Sequence, residues 1–173
     1  VDLFEPEGYG RIGDWQRVRP GIFTVAYARA VDPSKPVIWA EYGVSTWDMD
    51  LMQAGESALD FQGRFYEDFL KMVLQSGANG AVCWWYPGGF RTNEKSDFGI
   101  LNPDGTDRPA TVVLRKYAAQ VTRPRDIPQP DVWIEFNPDD PAGIEGIYKK
   151  VSSQFWQTVE SGKVAGLRPR GTD

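Results

Sequence analysis

Histidine is missing altogether, and cysteine occurs once, at Cys83. The first absence excludes Ser-His-Asp and Cys-His arrangements and removes the commonest metal ligand, so catalysis would have to run on carboxylates, tyrosine or lysine. The second excludes an internal disulfide. Cys83 lies in an apolar, strand-like run, where a small buried thiol is expected rather than a reactive one. No run of Lys and Arg stands out in a chain of formal net charge -5, so the sequence-independent attraction to nucleic acid is lacking. No apolar stretch is long enough to cross a bilayer, and no signal peptide is visible; the chain opens in mid-fold sequence, so this carries no statement about secretion. No Gly-rich turn leads from a strand into a helix at phosphate-binding spacing. Gly88-Gly89 follows a strand, but no helix starts at once, which disfavours a phosphate-binding α/β enzyme. Neither nucleic acid nor a membrane is an expected partner, and no cofactor or metal is called for.

What the chain does have is an ordinary globular balance, 41% hydrophobic and 25% charged, in a length that suits one domain and is marginal for two. Aromatic content is 13% with seven tryptophans. Tryptophan faces suit sugar stacking but are equally at home in cores, so composition alone decides nothing.

Hydrophobic periodicity gives the order of elements. Residues 1–4 are a short apolar start that reads as a strand, followed by a Gly-rich loop through Gly8, Gly10 and Gly13. Pro20 opens a helix with Ile22, Val25, Ala26 and Ala30 at helical spacing, stopped by Asp32-Pro33. Residues 36–40 are a continuous apolar run, as in a strand buried on both faces. Ser57 with Asp60 fits a capping box ahead of a stripe of Ala58, Phe61, Phe65, Phe69, Met72 and Val73, and Gly77 is the expected stop. Residues 80–85 form a second buried strand. After a long loop Asp107 is the expected cap and Pro109 the entry to a further helix, with Ala110, Val113, Leu114, Tyr117, Ala118 and Val121 on one face. Buried strands alternating with amphipathic helices imply a parallel sheet with right-handed crossovers. A closed eight-stranded barrel needs about 250 residues. Only three βα units are visible here, so the sheet is expected to be incomplete. Residues 122–130, with three prolines, read as a linker. Residues 131–173 read as a strand-helix appendage: a strand at 132–136, a helix from Asp140-Pro141 onward, and a polar, frayed end at 167–173.

The chemistry-bearing feature is Glu41, at the end of Lys35-Pro36-Val37-Ile38-Trp39-Ala40-Glu41-Tyr42-Gly43. An apolar strand delivering a carboxylate into Tyr-Gly is unusual for a surface acid. In parallel barrels the active site forms at the C-terminal ends of the strands, and a strand holds a nucleophile with the precision displacement needs. A charged residue marking the strand's exit into solvent is the plainer account of the same residues.

Residues 35–43 resemble the seventh-strand motif of the clan of retaining (β/α)8-barrel glycosidases that includes cellulases, mannanases and β-galactosidases. In that motif the Glu is the nucleophile, and it maps onto Glu41. Gly77-Ala78-Asn79-Gly80-Ala81-Val82-Cys83-Trp84-Trp85 is similar to the eighth strand, whose terminal tryptophan floors the subsite of the cleaved sugar. Trp85 or Trp84 fills that role, since strand alternation lets only one point inward. Residues 96–105, Ser-Asp-Phe-Gly-Ile-Leu-Asn-Pro-Asp-Gly, continue in the family's style as far as Pro109-Ala110. Val1-Asp2-Leu3-Phe4 followed by Glu7-Gly8-Tyr9 resembles a sixth strand ending in His-x-Tyr, with Glu7 standing where histidine is common. Tyr9 would then be the phenol that hydrogen-bonds the nucleophile.

The resemblance covers residues 1–121 and implies the sixth to eighth βα units of a TIM barrel, followed by a short strand-helix extension. It implies a retaining hydrolase of a β-linked glycan or glycoside. Glu7, Arg91 and Asn93 are candidate substrate contacts, although a solvated loop also accounts for the last two. The clan's acid/base is a Glu following Asn on the fourth strand, which is not in this sequence. Asn93-Glu94 lies in the loop after the eighth-strand motif and reads as a coincidence of a polar loop. The expected partners are a carbohydrate and an N-terminal barrel half, on the same precursor or another chain. The alternative is a non-catalytic carbohydrate-binding or structural fragment derived from such a barrel.

Overall fold

The computed structural model describes residues 2–10 and 18–171. It is a mixed α/β structure with parallel sheets. A three-stranded sheet runs in the order β1 (Glu7–Gly10), β2 (Ile38–Val44), β5 (Gly80–Cys83), and both pairings are parallel. The crossovers carry α1 (Pro20–Val31) and α2 (Glu56–Ser76), and α3 (Pro109–Val121) follows β5. A small antiparallel hairpin, β3 (Trp47–Asp48) and β4 (Gln53–Ala54), stands on the loop after β2. Among the described residues no helix is long and apolar enough to cross a membrane.

The first strand sits later in the sequence than expected. Phe4 makes a single parallel bridge to Val37, Pro6 follows, and the strand proper is Glu7–Gly10. Pro6 offers no N–H, but its carbonyl accepts from Ala40 N–H at 3.0 Å, and Phe4 bonds to Pro36 O and Ile38 N–H at 2.9 and 3.0 Å. Of the expected glycine loop, Gly8 and Gly10 are strand, while Arg11, Ile12 and Gly13 lie outside the described residues.

β2 carries one residue more than both of its neighbours. Toward β1 the register moves from Phe4–Val37 to Glu7–Glu41, and toward β5 from Trp39–Ala81 to Tyr42–Cys83. This bulge shifts the alternation of the strand. Trp39 and Tyr42, three residues apart, both reach Phe69 of α2, the first edge-on at 5.2 Å and the second stacked at 4.2 Å. Strict period-two alternation from Trp39 would have turned Glu41 toward α2. With the extra residue, Val37, Trp39, Tyr42 and Val44 are buried in the helix-side core, and Glu41 is on the other face. The reading of this strand as buried on both faces is thus corrected: its second face is open.

Two helix starts differ from expectation. Gly55, not Ser57, precedes α2, and Ser57 is exposed within the first turn. Arg108, not Asp107, precedes α3, and Asp107 instead pairs with Arg115. The stop at Gly77 is as expected, with φ 71°, a left-handed value that glycine adopts freely.

Residues 122–130 form neither helix nor strand. The C-terminal part is a strand-helix-strand unit: β6 (Val132–Phe136), α4 (Gly143–Glu160) and β7 (Ala165–Pro169), with β6 and β7 parallel. The polar, frayed end expected from residue 167 is in fact the middle of β7, where Ala165, Gly166 and Leu167 are buried. This unit has its own apolar cluster of Ile134, Phe136, Ile147, Phe155, Ala165 and Leu167, which Phe23 of α1 joins. Phe23 lies edge-on to both Tyr148 and Phe155 at 4.9 and 5.1 Å.

Candidate active site

The parallel pairing of β1 and β2 brings three of the sequence-predicted groups, Glu7, Tyr9 and Glu41, side by side. Glu41 lies within β2 rather than at its tip, in register with Glu7 of β1, while Tyr9 is in register with Gly43. Register and alternation put Glu7, Tyr9, Glu41 and Gly43 on the open face. The Tyr9 hydroxyl donates a hydrogen bond to Glu41 Oε2. Burial, that hydrogen bond and the charge of Glu41 push the Tyr9 hydroxyl well above the usual phenol range, with smaller contributions from Glu7 and Glu94. Tyr9 therefore stays a proton donor, and three carboxylates stand within electrostatic reach of it.

The Tyr9 ring is held from the other side by Phe98, edge-on at 5.6 Å. A side chain at Gly43 would collide with the Trp84 carbonyl oxygen and press on Phe98. Glycine is required here so that the chain leaving β5 can pass over β2. The Trp84 N–H donates to the Tyr42 carbonyl at 2.7 Å, Trp85 N–H to Phe98 O at 3.3 Å, and Ile100 N–H to Trp85 O at 3.2 Å. The Trp84–Trp85 peptide bond is cis. The two indoles are 5.9 Å apart and tilted by 32°, so they form one aromatic surface at the end of β5.

Arg91 stands over that surface, with its guanidinium carbon 3.9 Å from the Trp85 ring centre and 5.2 Å from that of Trp84. Its Nη1 lies 2.7 Å from Glu94 Oε1, and the turn is closed by the Arg91 N–H to Ser96 O bond of 2.8 Å. Glu94, read from the sequence as part of an incidental polar loop, is therefore joined to the aromatic surface and electrically to Tyr9. Only its spacing of three from Arg91 hinted at the pairing. Asn93 is exposed on the turn and makes no side-chain hydrogen bond among the described residues; the other selected residues form two groups, Glu7, Tyr9 and Glu41 on the sheet and Trp84, Trp85 and Arg91 beyond β5.

No residue pattern warns of what fastens these loops. Arg108 and Asp97 are each 1% exposed and form a two-pronged ion pair at 3.1 and 2.7 Å. Arg108 also donates to Gly99 O at 2.8 Å, Asn102 Oδ1 at 3.1 Å and Thr46 Oγ1 at 3.3 Å. Thr46 in turn donates its N–H to Asp97 O at 2.7 Å. The loops after β2 and β5 and the start of α3 are thereby tied together behind Trp84 and Trp85. Trp47 of β3 adds a ring contact to Phe90 at 4.5 Å. Cys83 is partly buried with its thiol pushed up by burial, in keeping with a packing role. No group of His, Cys, Asp and Glu suited to a metal ion occurs among the described residues.

No family model and no curated protein matches the sequence. Solved structures do match the fold. A GH5_18 protein from Streptomyces cattleya in complex with GlcNAc aligns at TM-score 0.65 and 16% identity, over 90% of this chain and 39% of that one. The exo-beta-1,4-mannosidase Op5Man5 from Opitutaceae bacterium strain TAV5 aligns at TM-score 0.67 and 15% identity, over 98% of this chain and 33% of that one. A beta-galactosidase from the haloarchaeon Halorubrum lacusprofundi aligns at TM-score 0.60 and 16% identity, over 93% of this chain and 24% of that one. The chain has the fold of part of a TIM barrel, in common with these glycoside hydrolases, and it spans well under half the length of each of them.

Proposed function

We propose that this chain is the nucleophile-bearing C-terminal part of a retaining glycoside hydrolase acting on a β-linked glycan or glycoside. In this reading β1, β2 and β5 are the sixth, seventh and eighth strands of the barrel, and the whole protein is an O-glycosyl hydrolase. The observation that carries it is the Tyr9 hydroxyl donating to Glu41 on the open face of the sheet. A carboxylate that accepts a hydrogen bond is favoured in its charged form, which is the form that attacks an anomeric carbon. A phenol that keeps its proton serves this purpose without competing for it.

Glu41 is the nucleophile and forms the glycosyl-enzyme. A second carboxyl group about 5–5.5 Å away protonates the leaving oxygen and then activates the water that releases the sugar. That group is supplied by the barrel portion that lies outside these 173 residues, on the same precursor or on another chain. Trp84 and Trp85 offer the apolar surface against which the sugar ring stacks. Glu7, Arg91 and Asn93 are the polar neighbours available to its hydroxyls. The open face of the three-stranded sheet supports the need for a companion: Val82, in the middle of β5, is 58% exposed.

The test is covalent labelling of the complete protein by a mechanism-based fluoro-sugar. Labelling should appear on Glu41 and be lost in Glu41→Gln. Persistent labelling of the variant would assign the nucleophile elsewhere. Sugar binding with no labelling of the unsubstituted protein would favour the non-catalytic carbohydrate-binding reading.

A further inference from the structure

A cavity of about 550 Å³ opens away from Glu41, between α1, the end of α2, residues 127–130 and β7. Its volume falls in the range of small-molecule sites, roughly 300–1,000 Å³. Ile22, Ala26 and Ala30 face it as one stripe of α1, opposite Pro130, Val164 and Leu167. Among the described residues, the charged ones on its wall are Arg29, Lys163 and Arg168, and no carboxylate lines it. That is notable in a chain with 24 acidic and 19 basic residues.

The three cations are not equivalent. Arg168 is paired with Glu135 at 2.8 Å. Lys163 has no ion-pair partner among the described residues, and Arg29 has only neutral acceptors. Arg29 Nη2 donates to Gly77 O at 2.5 Å and to Asn79 Oδ1 at 3.5 Å. Its Nε is buried with no partner, and burial holds its pKa below the usual arginine value. An apolar chamber rimmed by a half-buried guanidinium with only neutral acceptors and by an unpaired lysine suits an amphipathic anion. The apolar body gains by leaving water, and the anion supplies the charged acceptor that Arg29 and Lys163 lack.

We propose that this cavity binds a small carboxylate with an apolar body, such as an arylalkanoate, with the carboxylate on Arg29 and Lys163 at the rim. The complete protein is titrated with 4-phenylbutyrate and, as its uncharged match, 4-phenylbutan-1-ol, followed by amide NMR near neutral pH. The carboxylate should shift the amides of Ala26, Ala165 and Gly166 saturably and bind about tenfold more tightly than the alcohol. Lys163→Gln should weaken binding by roughly two- to fivefold. Ala30→Phe, which fills the chamber from α1, should abolish it while leaving the rest of the spectrum in place. Arg29→Met should remove the preference for acid over alcohol. Because Arg29 also holds the end of α2, the Lys163 and Ala30 variants decide the matter if that one does not fold. Equal affinity for acid and alcohol, shifts confined to other residues, or no saturable shift overturns the proposal.

Discussion

At the scale of single residues, the Tyr9–Glu41 contact makes a definite demand. Removing the hydroxyl in Tyr9→Phe takes one hydrogen bond from a carboxylate, an interaction of about 1.5–3 kcal/mol. In the complete protein kcat/KM should fall roughly ten- to a hundredfold, with labelling still at Glu41; an unchanged rate would leave Tyr9 a packing residue. Away from the site, Glu67 is held at about 2 by hydrogen bonds from Lys116 and Tyr117. Its folded pKa is depressed, so its contribution to stability is complete above the ordinary value near 4.5. That contribution is lost as pH falls toward 2. Urea denaturation from pH 5 to 2.5 should show a shallower loss of stability for Glu67→Gln than for the unsubstituted chain. Parallel curves would mean that Glu67 is not linked to folding.

At the scale of elements, the sequence revealed helices and strand cores better than junctions. The stripe in α2 and the positive-φ glycine after it follow from local rules, and both were legible. Glu41 was legible as a strand residue, but its face was not, because the bulge in β2 arises in pairing with β1 and β5 together. Ala165-Gly166-Leu167 is too short and too near polar residues to show as a strand, and it is one only because β6 runs beside it. The Asp97–Arg108 pair was invisible for a similar reason: two charged residues in a polar loop are ordinarily solvated, and only the closing of three segments over them buries both. Removing one partner of a buried pair leaves the other charge stranded, so Arg108→Met should cost about 3–5 kcal/mol in chemical denaturation. Gly43→Ala should cost about 1–3 kcal/mol, because its methyl group meets backbone that has no room to retreat. It should also disturb Trp84 fluorescence, and an undisturbed spectrum would contradict the close passage of the two strands.

For the whole molecule, the three-stranded sheet has two unpaired edges and an open face among the described residues, and Met49, Leu51 and Met52 add exposed apolar surface on the β3–β4 hairpin. Unpaired parallel edges invite association. The 173-residue chain by itself should sediment as a mixture of associated species or lose stability. Adding a companion segment that contains the rest of the barrel should bring it to a defined complex. A monodisperse, well-folded monomer would count heavily against the barrel reading.

The buried tie behind the tryptophans also sets an order of events. Thr46 and Arg108 are 62 residues apart in the chain, and Asp97 lies between them. Closing so long a loop is slow compared with winding a helix or pairing local turns. The aromatic surface can take its final shape only after β2, β5 and the start of α3 have all docked. This edge of the sheet is therefore completed only after those segments have met, and a chain interrupted before residue 108 would leave Asp97 and Thr46 without the guanidinium that ties them.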